Sequence, residues 1–139
     1  MNERRFLLYV FPSSDGSFGV ELRQRVNGPQ RLEERSVVRA WGAPLRAGLS
    51  HVLEALRKSG YRPSALHRGR RRPFELREDV AVRLGLVLLA LKPLRNSTRM
   101  ERIAEAIQQM PDEEVYYWFS KVVSVRSAQR AVRVLLGGE

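Results

Sequence analysis

The stretch VAVRLGLVLLAL, residues Val80–Leu91, carries Arg83 as its one charged side chain. A helix that is apolar on nearly all sides is buried on nearly all sides, so this segment predicts the central helix of the fold. Glu78 and Asp79 precede it, where the positive end of a helix dipole favours acids, and Pro93 prevents continuation. We therefore expect a helix over about residues 77–92, with the other elements packed around it.

Apolar side chains recur at helical spacing in four other segments of the chain. The clearest covers about residues 44–59, where Pro44 suits a first turn and Gly60 supplies the stop. The next three helices are predicted to begin near Thr98, Pro111 and Ser127, and the last of them to end near Leu136. Trp41, ahead of the first of these helices, is predicted to be a core side chain.

The first 26 residues predict a β-hairpin. Phe6–Phe11 is a continuous apolar run, Pro12–Ser17 has the composition of a turn, and apolar residues alternate with small or charged ones over Phe18–Arg23. Gln30–Val38 fits either a third strand or a first helical turn, and we predict a strand. A second turn, Asn27–Pro29, separates it from the hairpin.

These segments together predict an α+β fold in which an N-terminal antiparallel hairpin or small sheet precedes a bundle of about five helices. The chain of 139 residues fits one domain, mainly β over residues 1–38 and mainly helical over residues 44–136.

Basic residues outnumber acidic ones by 25 to 15, and 22 of the basic residues are arginine. A guanidinium group binds phosphate through two parallel hydrogen bonds and stacks on bases. The formal net charge of +10 therefore predicts contact with nucleic acid, either RNA or DNA. The alternative is a genome composition that favours arginine over lysine without any such partner.

The chain contains no cysteine, which excludes disulfides, thiolate metal sites and a cysteine nucleophile. Its longest apolar run, Leu84–Leu91, is far shorter than the roughly 20 residues that span a bilayer. Phe6–Phe11 is too short for the apolar part of a secretory signal. We expect a cytoplasmic protein that has no membrane partner.

The densest basic segment surrounds the loop that follows the first helix. Such a segment matches a phosphate backbone, and its alternative is a solvated loop whose arginines pair with surface carboxylates. A second basic stripe lies on the last helix, at spacings of four and three residues. The predicted nucleic-acid contacts are Arg57, Lys58, Arg62, Arg68, Arg70, Arg71 and Arg72 in the first group and Arg126, Arg130 and Arg133 in the second.

Four consecutive aromatic residues, Tyr116–Phe119, form the most unusual short string. On a helix they spread over most of the circumference, so some must point away from the core. One interpretation puts Phe119 and one neighbour in the core and the others under the N-terminal sheet. The other makes Tyr116, Tyr117 and Trp118 a protein interface or a surface for base stacking. A protein-interaction adaptor of a larger enzyme is therefore an alternative function.

Catalytic signatures are sparse in this sequence. Arg46 and His51, like Arg62 and His67, fit the Arg-x4–6-His spacing of helical RNases of the HEPN class, a spacing that so many arginines also produce by chance. No Gly-rich phosphate loop or nucleophile elbow is present in the sequence, and no metal-ligand pattern stands out. We predict a non-enzymatic protein without cofactor or metal, with a small helical RNase or toxin as a further alternative.

The segments Arg83–Arg95 and Asp112–Lys121 resemble a family of small basic prokaryotic proteins associated with defence gene clusters. In size, charge and helicity the chain is also similar to the small helical subunits of CRISPR effector complexes, although the N-terminal hairpin departs from their all-helical pattern. The resemblance implies a structural or accessory subunit of a ribonucleoprotein complex in antiviral defence, with other protein subunits as partners. It implies no catalytic residue.

Overall fold

The structure, a computed structural model, describes residues 5–12, 18–27, 32–62, 73–92 and 97–121, together with residues 127, 130, 133 and 134. Its strands are β1 (Arg5–Pro12), β2 (Phe18–Asn27), β3 (Leu32–Ala40) and β4 (Phe74–Leu76). Its helices are α1 (Gly42–Lys58), α2 (Glu78–Leu91), α3 (Ser97–Gln109) and α4 (Asp112–Lys121). The three N-terminal strands precede the helices, as predicted for this α+β fold, and β4 lies between α1 and α2.

The four strands form one antiparallel sheet in the order β3-β2-β1-β4. Alternate side chains of each strand face the helices, because successive residues of a strand point to opposite faces. Leu8 of β1 pairs with Leu22 of β2 and with Phe74 of β4, and all three are buried in the common core. The described helices therefore cover one face of the sheet, and we call the opposite face the open face.

Helix α2 is the central helix, as its composition predicts, and ten of its residues are buried. It contacts each of the other three helices and also β1 and β3. At Gly85 the neighbouring elements approach α2 closely, since a Cβ built there would lie 2.7 Å from the Phe119 ring and 3.0 Å from Leu22. The missing side chain lets α4 and the sheet meet across α2.

Arg83, the exception in the apolar stretch, links α2 to the turn between α3 and α4. Its guanidinium donates hydrogen bonds to the carbonyl oxygens of Ile107 and Met110 and to the Asp112 carboxylate. The last carbonyl groups of a helix have no partner within the helix, so a cation at this end satisfies them. Arg83 thus stabilises the contact of α2 with α3 and α4, although it is charged.

The third strand predicted near Gln30–Val38 is confirmed as β3. Strand β4 was not predicted, because its three residues carry no periodicity and are defined by their pairing with β1. The described residues form four helices where about five were predicted. Of the predicted fifth helix, only residues 127, 130, 133 and 134 are described, all four of them helical, and the remainder lies outside the described residues.

Trp41 corrects a second prediction. Its side chain is 55% exposed and is not part of the core. The reason is local: the chain leaves β3 at Ala40 and begins α1 at Gly42, whose φ of 63° is a left-handed conformation that suits glycine. The indole then lies against Gly19 on the open face of the sheet. No described helix is long and apolar enough to cross a membrane.

Candidate functional site

The open face of the sheet carries a continuous row of aromatic and arginine side chains. The rings of Tyr9 and Phe11 stack with centroids 6.5 Å apart and an interplanar angle of 12°. The Arg23 guanidinium lies 4.3 Å from the Tyr9 centroid, and that of Arg39 lies 5.8 Å from Phe11 and 5.3 Å from Trp41. We call these five residues the aromatic row.

The register of the sheet builds this row. Tyr9 and Phe11 are two residues apart in β1 and therefore share a face. Tyr9 pairs with Glu21, which in turn pairs with Arg39 on β3, and Phe11 pairs with Gly19. A Cβ at Gly19 would lie 2.5 Å from the Trp41 Nε1 atom, so only glycine leaves room for the indole there.

A buried carboxylate, Glu21, holds the two arginines of the row. It is 3% exposed although it lies on the open face. The Nε atoms of Arg23 and Arg39 contact it at 2.6 Å and 3.2 Å, and the Ser36 hydroxyl donates to it at 2.9 Å. Because a buried charge is tolerated only when paired and hydrogen-bonded, these contacts fix the guanidinium groups in place.

Glu34 forms a second polar cluster beside Tyr9. The Tyr9 hydroxyl donates to its carboxylate at 2.7 Å, and Arg23 and Arg25 approach it at 3.2 Å and 3.5 Å. The hydrogen bond from Tyr9 and the arginines hold the pKa of Glu34 below its usual value. Burial, followed by the bond to Glu34, raises the pKa of Tyr9. Both groups therefore stay in one protonation state near neutral pH.

The row keeps enough exposed surface to act on a ligand. Phe11 is 37% and Trp41 is 55% exposed, and half of the Arg39 side chain is accessible. Aromatic rings and guanidinium planes of this kind stack on flat ring systems, and guanidinium groups also bind phosphate. The sequence prediction missed this site, and its only local trace was the strand spacing of Tyr9 and Phe11, which lie within a continuous apolar run.

The predicted basic contacts are described only in part. Arg57, Lys58 and Arg62 are exposed at and beyond the end of α1, and Arg57 contacts Glu54 at 3.5 Å. Cations in a last turn also favour the helix dipole, so this cluster has a structural use as well. Arg130 and Arg133 are exposed. The other predicted contacts, Arg68, Arg70, Arg71, Arg72 and Arg126, lie outside the described residues.

The aromatic string of α4 is divided between core and surface. Phe119 packs edge-on against Phe6 at 6.2 Å, and Trp118 is also partly buried against the core. Tyr116 and Tyr117 are exposed, at 36% and 55%. The string therefore offers two tyrosines to the surface, with Trp118 beside Tyr117 at 5.3 Å.

A polar cavity of about 290 Å³ lies between the helices and is a second candidate site. His51 lines it and is 9% exposed, and burial, followed by the charge of Arg83, lowers the pKa of this imidazole. The three carboxylates that line the cavity are each paired with an arginine. The pairs are Glu54 with Arg57, Asp79 with Arg77 and Asp112 with Arg83.

The structure does not assemble the RNase-like pair of α1. His51 is five positions after Arg46, which puts the two side chains about 140° apart around the helix. Arg46 is exposed and His51 is buried. Within the described parts of the chain, no three histidine or carboxylate side chains cluster as a metal site would require.

A family model, described as a domain of unknown function (DUF7680), matches residues 6–138. The chain belongs to the DUF7680 family. No curated protein and no solved structure matches it. The matched residues include nearly all of the sheet and all four helices, so the aromatic row and the polar cavity both belong to the DUF7680 domain.

Proposed function

We propose that this DUF7680 domain binds nucleic acid as a non-enzymatic structural or accessory subunit, without reading its sequence. The observation that carries the proposal is the position of Arg39, between the exposed rings of Phe11 and Trp41 on the open face of the sheet. Proteins that bind nucleic acid on a β-sheet stack bases on aromatic side chains in this way, and arginine adds to the stacking.

The charge of the chain supports the same proposal. The net charge of +10 supplies the electrostatic attraction on which sequence-independent binding rests. Exposed cations at the end of α1, Lys58 among them, continue into the basic segment that the sequence predicts as a phosphate contact. Phosphate contacts position a nucleic acid and carry little sequence information.

The test is a binding titration of purified protein with labelled single-stranded and duplex oligonucleotides over a range of salt concentrations. We expect log K to fall linearly with log salt, similarly for unrelated sequences. Replacing Arg68, Arg70, Arg71 and Arg72 together with serine should reduce the duplex slope by up to about 3 to 4. It should leave the melting temperature nearly unchanged.

Arg46→Ser and Arg77→Ser are the controls, because both remove an exposed arginine that is not among the predicted contacts. They should leave the slope nearly as it is. Absence of binding at low salt would refute the proposal. An unchanged slope in the fourfold variant would exclude the basic segment as the contact surface.

A second candidate function is a protein-interaction adaptor, and the exposure of Tyr116 and Tyr117 on α4 favours it. Tyrosines are enriched at protein interfaces because each combines a large apolar ring with a polar end.

We also propose, from the sequence resemblance alone, that the protein is part of a prokaryotic defence complex with other protein subunits in the cytoplasm. Co-purification of tagged protein with nucleic acid and with defined subunits tests both ideas.

A further inference from the structure

A groove of about 470 Å³ follows the edge strand β3 and lies beside the aromatic row. Trp41 and Pro44 line it at one end of the strand, and Lys92, which follows α2, lines it as well. Arg39 and Ser36 contribute the polar side chains of β3. Its volume lies in the range of about 300–1,000 Å³ that is usual for small-ligand sites.

The charge of the groove favours an anionic ligand. Among the described residues that line it, two are cationic, Arg39 and Lys92, and none is acidic. Lys92 is exposed, and Arg39 contacts Glu21 through Nε while half of its side chain stays accessible. An exposed indole next to two cations offers a stacking surface and a charge for phosphate in one place.

The edge strand itself does not favour an added peptide strand. Leu22 pairs with Val38 and Arg23 pairs with Ser36, so Val37 is an extra residue that forms a bulge in β3. Bulges and charged side chains on an edge strand are devices that prevent pairing with another strand. The groove is therefore better suited to a ligand that is recognised by stacking and charge than to one that continues the sheet.

We infer that this groove is a subsite for one nucleotide of single-stranded nucleic acid, with its base on Trp41 and its phosphate between Arg39 and Lys92. The inference rests on the proposed function and adds the class of nucleic acid. Bases are free to stack on protein only when they are not paired and stacked in a duplex. The open face carries four arginines, at positions 5, 23, 25 and 39. They form ion pairs with three carboxylates, at positions 21, 34 and 75. Such a face has little spare charge to follow a duplex backbone.

Tryptophan fluorescence tests the inference, because Trp118 is the only other tryptophan. In a Trp118→Phe background, an oligothymidylate of about 15 nucleotides should quench Trp41, and its duplex of the same length should quench it much less. Trp41→Ala should weaken single-strand binding about 5- to 150-fold and leave duplex binding nearly unchanged. Trp41→Phe should recover part of the loss.

Two further variants test separately the position of the Trp41 indole and the charge of Lys92. Gly19→Ala places a methyl group where the indole lies, so it should displace Trp41 and weaken single-strand binding although the tryptophan is still present. Lys92→Ser should reduce the salt slope for single strands by about 0.7, whereas Trp41→Ala should leave that slope unchanged. Gln109→Ala, at an exposed and uncharged position of α3 outside the proposed contacts, is the control and should bind like the parent protein.

The outcomes distinguish the inference from the proposed function. Salt-dependent binding that is equal for single strands and duplexes, and indifferent to Trp41→Ala, would overturn the inference and leave the proposed function standing. Absence of binding to any nucleic acid would overturn both. Nucleic-acid binding that is unaffected by Trp41→Ala, with loss of a protein partner in the same variant, would assign the groove to a peptide and also overturn the inference.

Discussion

The Nη1 atom of Arg83, in α2, lies 3.1 Å from the carbonyl oxygen of Met110, where the chain leaves α3. The same guanidinium reaches the Ile107 carbonyl and the Asp112 carboxylate, so one side chain joins three helices. These bonds are charge-assisted, and the Arg83 side chain is only 20% exposed, so water replaces them poorly.

We predict that Arg83→Met lowers the free energy of unfolding by about 2–4 kcal/mol, because it removes hydrogen bonds from a charged donor and leaves helix-end carbonyls without it. Asp112→Asn should lower it by less than about 1 kcal/mol, since that carboxylate is 72% exposed. Urea denaturation measures both. Arg77→Met, which breaks an exposed pair with Asp79, is the control and should change little. Equal losses in all three variants would contradict the assignment.

The second prediction concerns the pH dependence of stability through His51. Burial, followed by the charge of Arg83, lowers the pKa of His51 in the folded protein. The unfolded chain then binds more protons below its ordinary pKa of about 6.5, so stability is full above that pH and falls as the pH decreases. His51→Gln should show a smaller decrease in unfolding free energy between about pH 7.5 and pH 5.5.

Glu54, Asp79 and Asp112 line the same cavity. Both proteins contain these carboxylates, so their own contributions to the pH dependence of stability cancel when the two proteins are compared. Urea titrations of the two proteins at each pH measure the difference. Parallel pH profiles would show that His51 is as accessible to protons in the folded protein as in the unfolded chain.

The third prediction concerns the close packing of Phe119 and Leu22 against Gly85 of α2. Gly85→Ala should destabilise the protein by about 1–3 kcal/mol, because the new methyl group collides with Phe119 and Leu22. The loss should exceed the gain of about 1 kcal/mol that alanine brings to a helix. Thermal unfolding of Gly85→Ala, Phe119→Leu and the double variant should show that the smaller side chain relieves part of the collision.

Gly48→Ala is the matched control, since a Cβ there would meet Leu88 and Leu91 at 3.5 Å, an ordinary contact. This variant should be as stable as the parent or slightly more so. A Gly85→Ala protein that behaves in the same way would show that α2 and α4 are less closely packed than their contact implies.

The fourth prediction separates the two uses of the aromatic string. Tyr116→Ser with Tyr117→Ser should keep the fold, because both side chains are exposed. Phe119→Ala should lower the unfolding free energy by about 3–5 kcal/mol, because the ring packs on Phe6. If the tyrosine variant unfolds, the adaptor function loses its local support. If it folds, keeps its nucleic-acid affinity and loses a defined protein partner, the adaptor becomes the primary function.

Part of the site was predictable from sequence and part was not. Four adjacent aromatics on a helix must spread around it, so exposure of some of the string at Tyr116–Phe119 was predictable. The aromatic row was not. Tyr9 and Phe11 lie within a continuous apolar run that masked their alternation. Trp41 was wrongly predicted to be buried, because the size and apolar character of its ring do not indicate that it packs on Gly19.

The sequence by itself determined the helices α1 to α4, the first two strands and the basic character of the chain, and it left β3 open between a strand and a helical turn. Apolar periodicity, prolines and glycines act within a few residues, so they can be read locally. The tertiary structure alone decided strand β4, the partners of Arg83 and the meeting of Trp41 with Gly19. Each of these depends on the register of strands or the packing of helices far apart in the chain, and no local pattern encodes such a pairing.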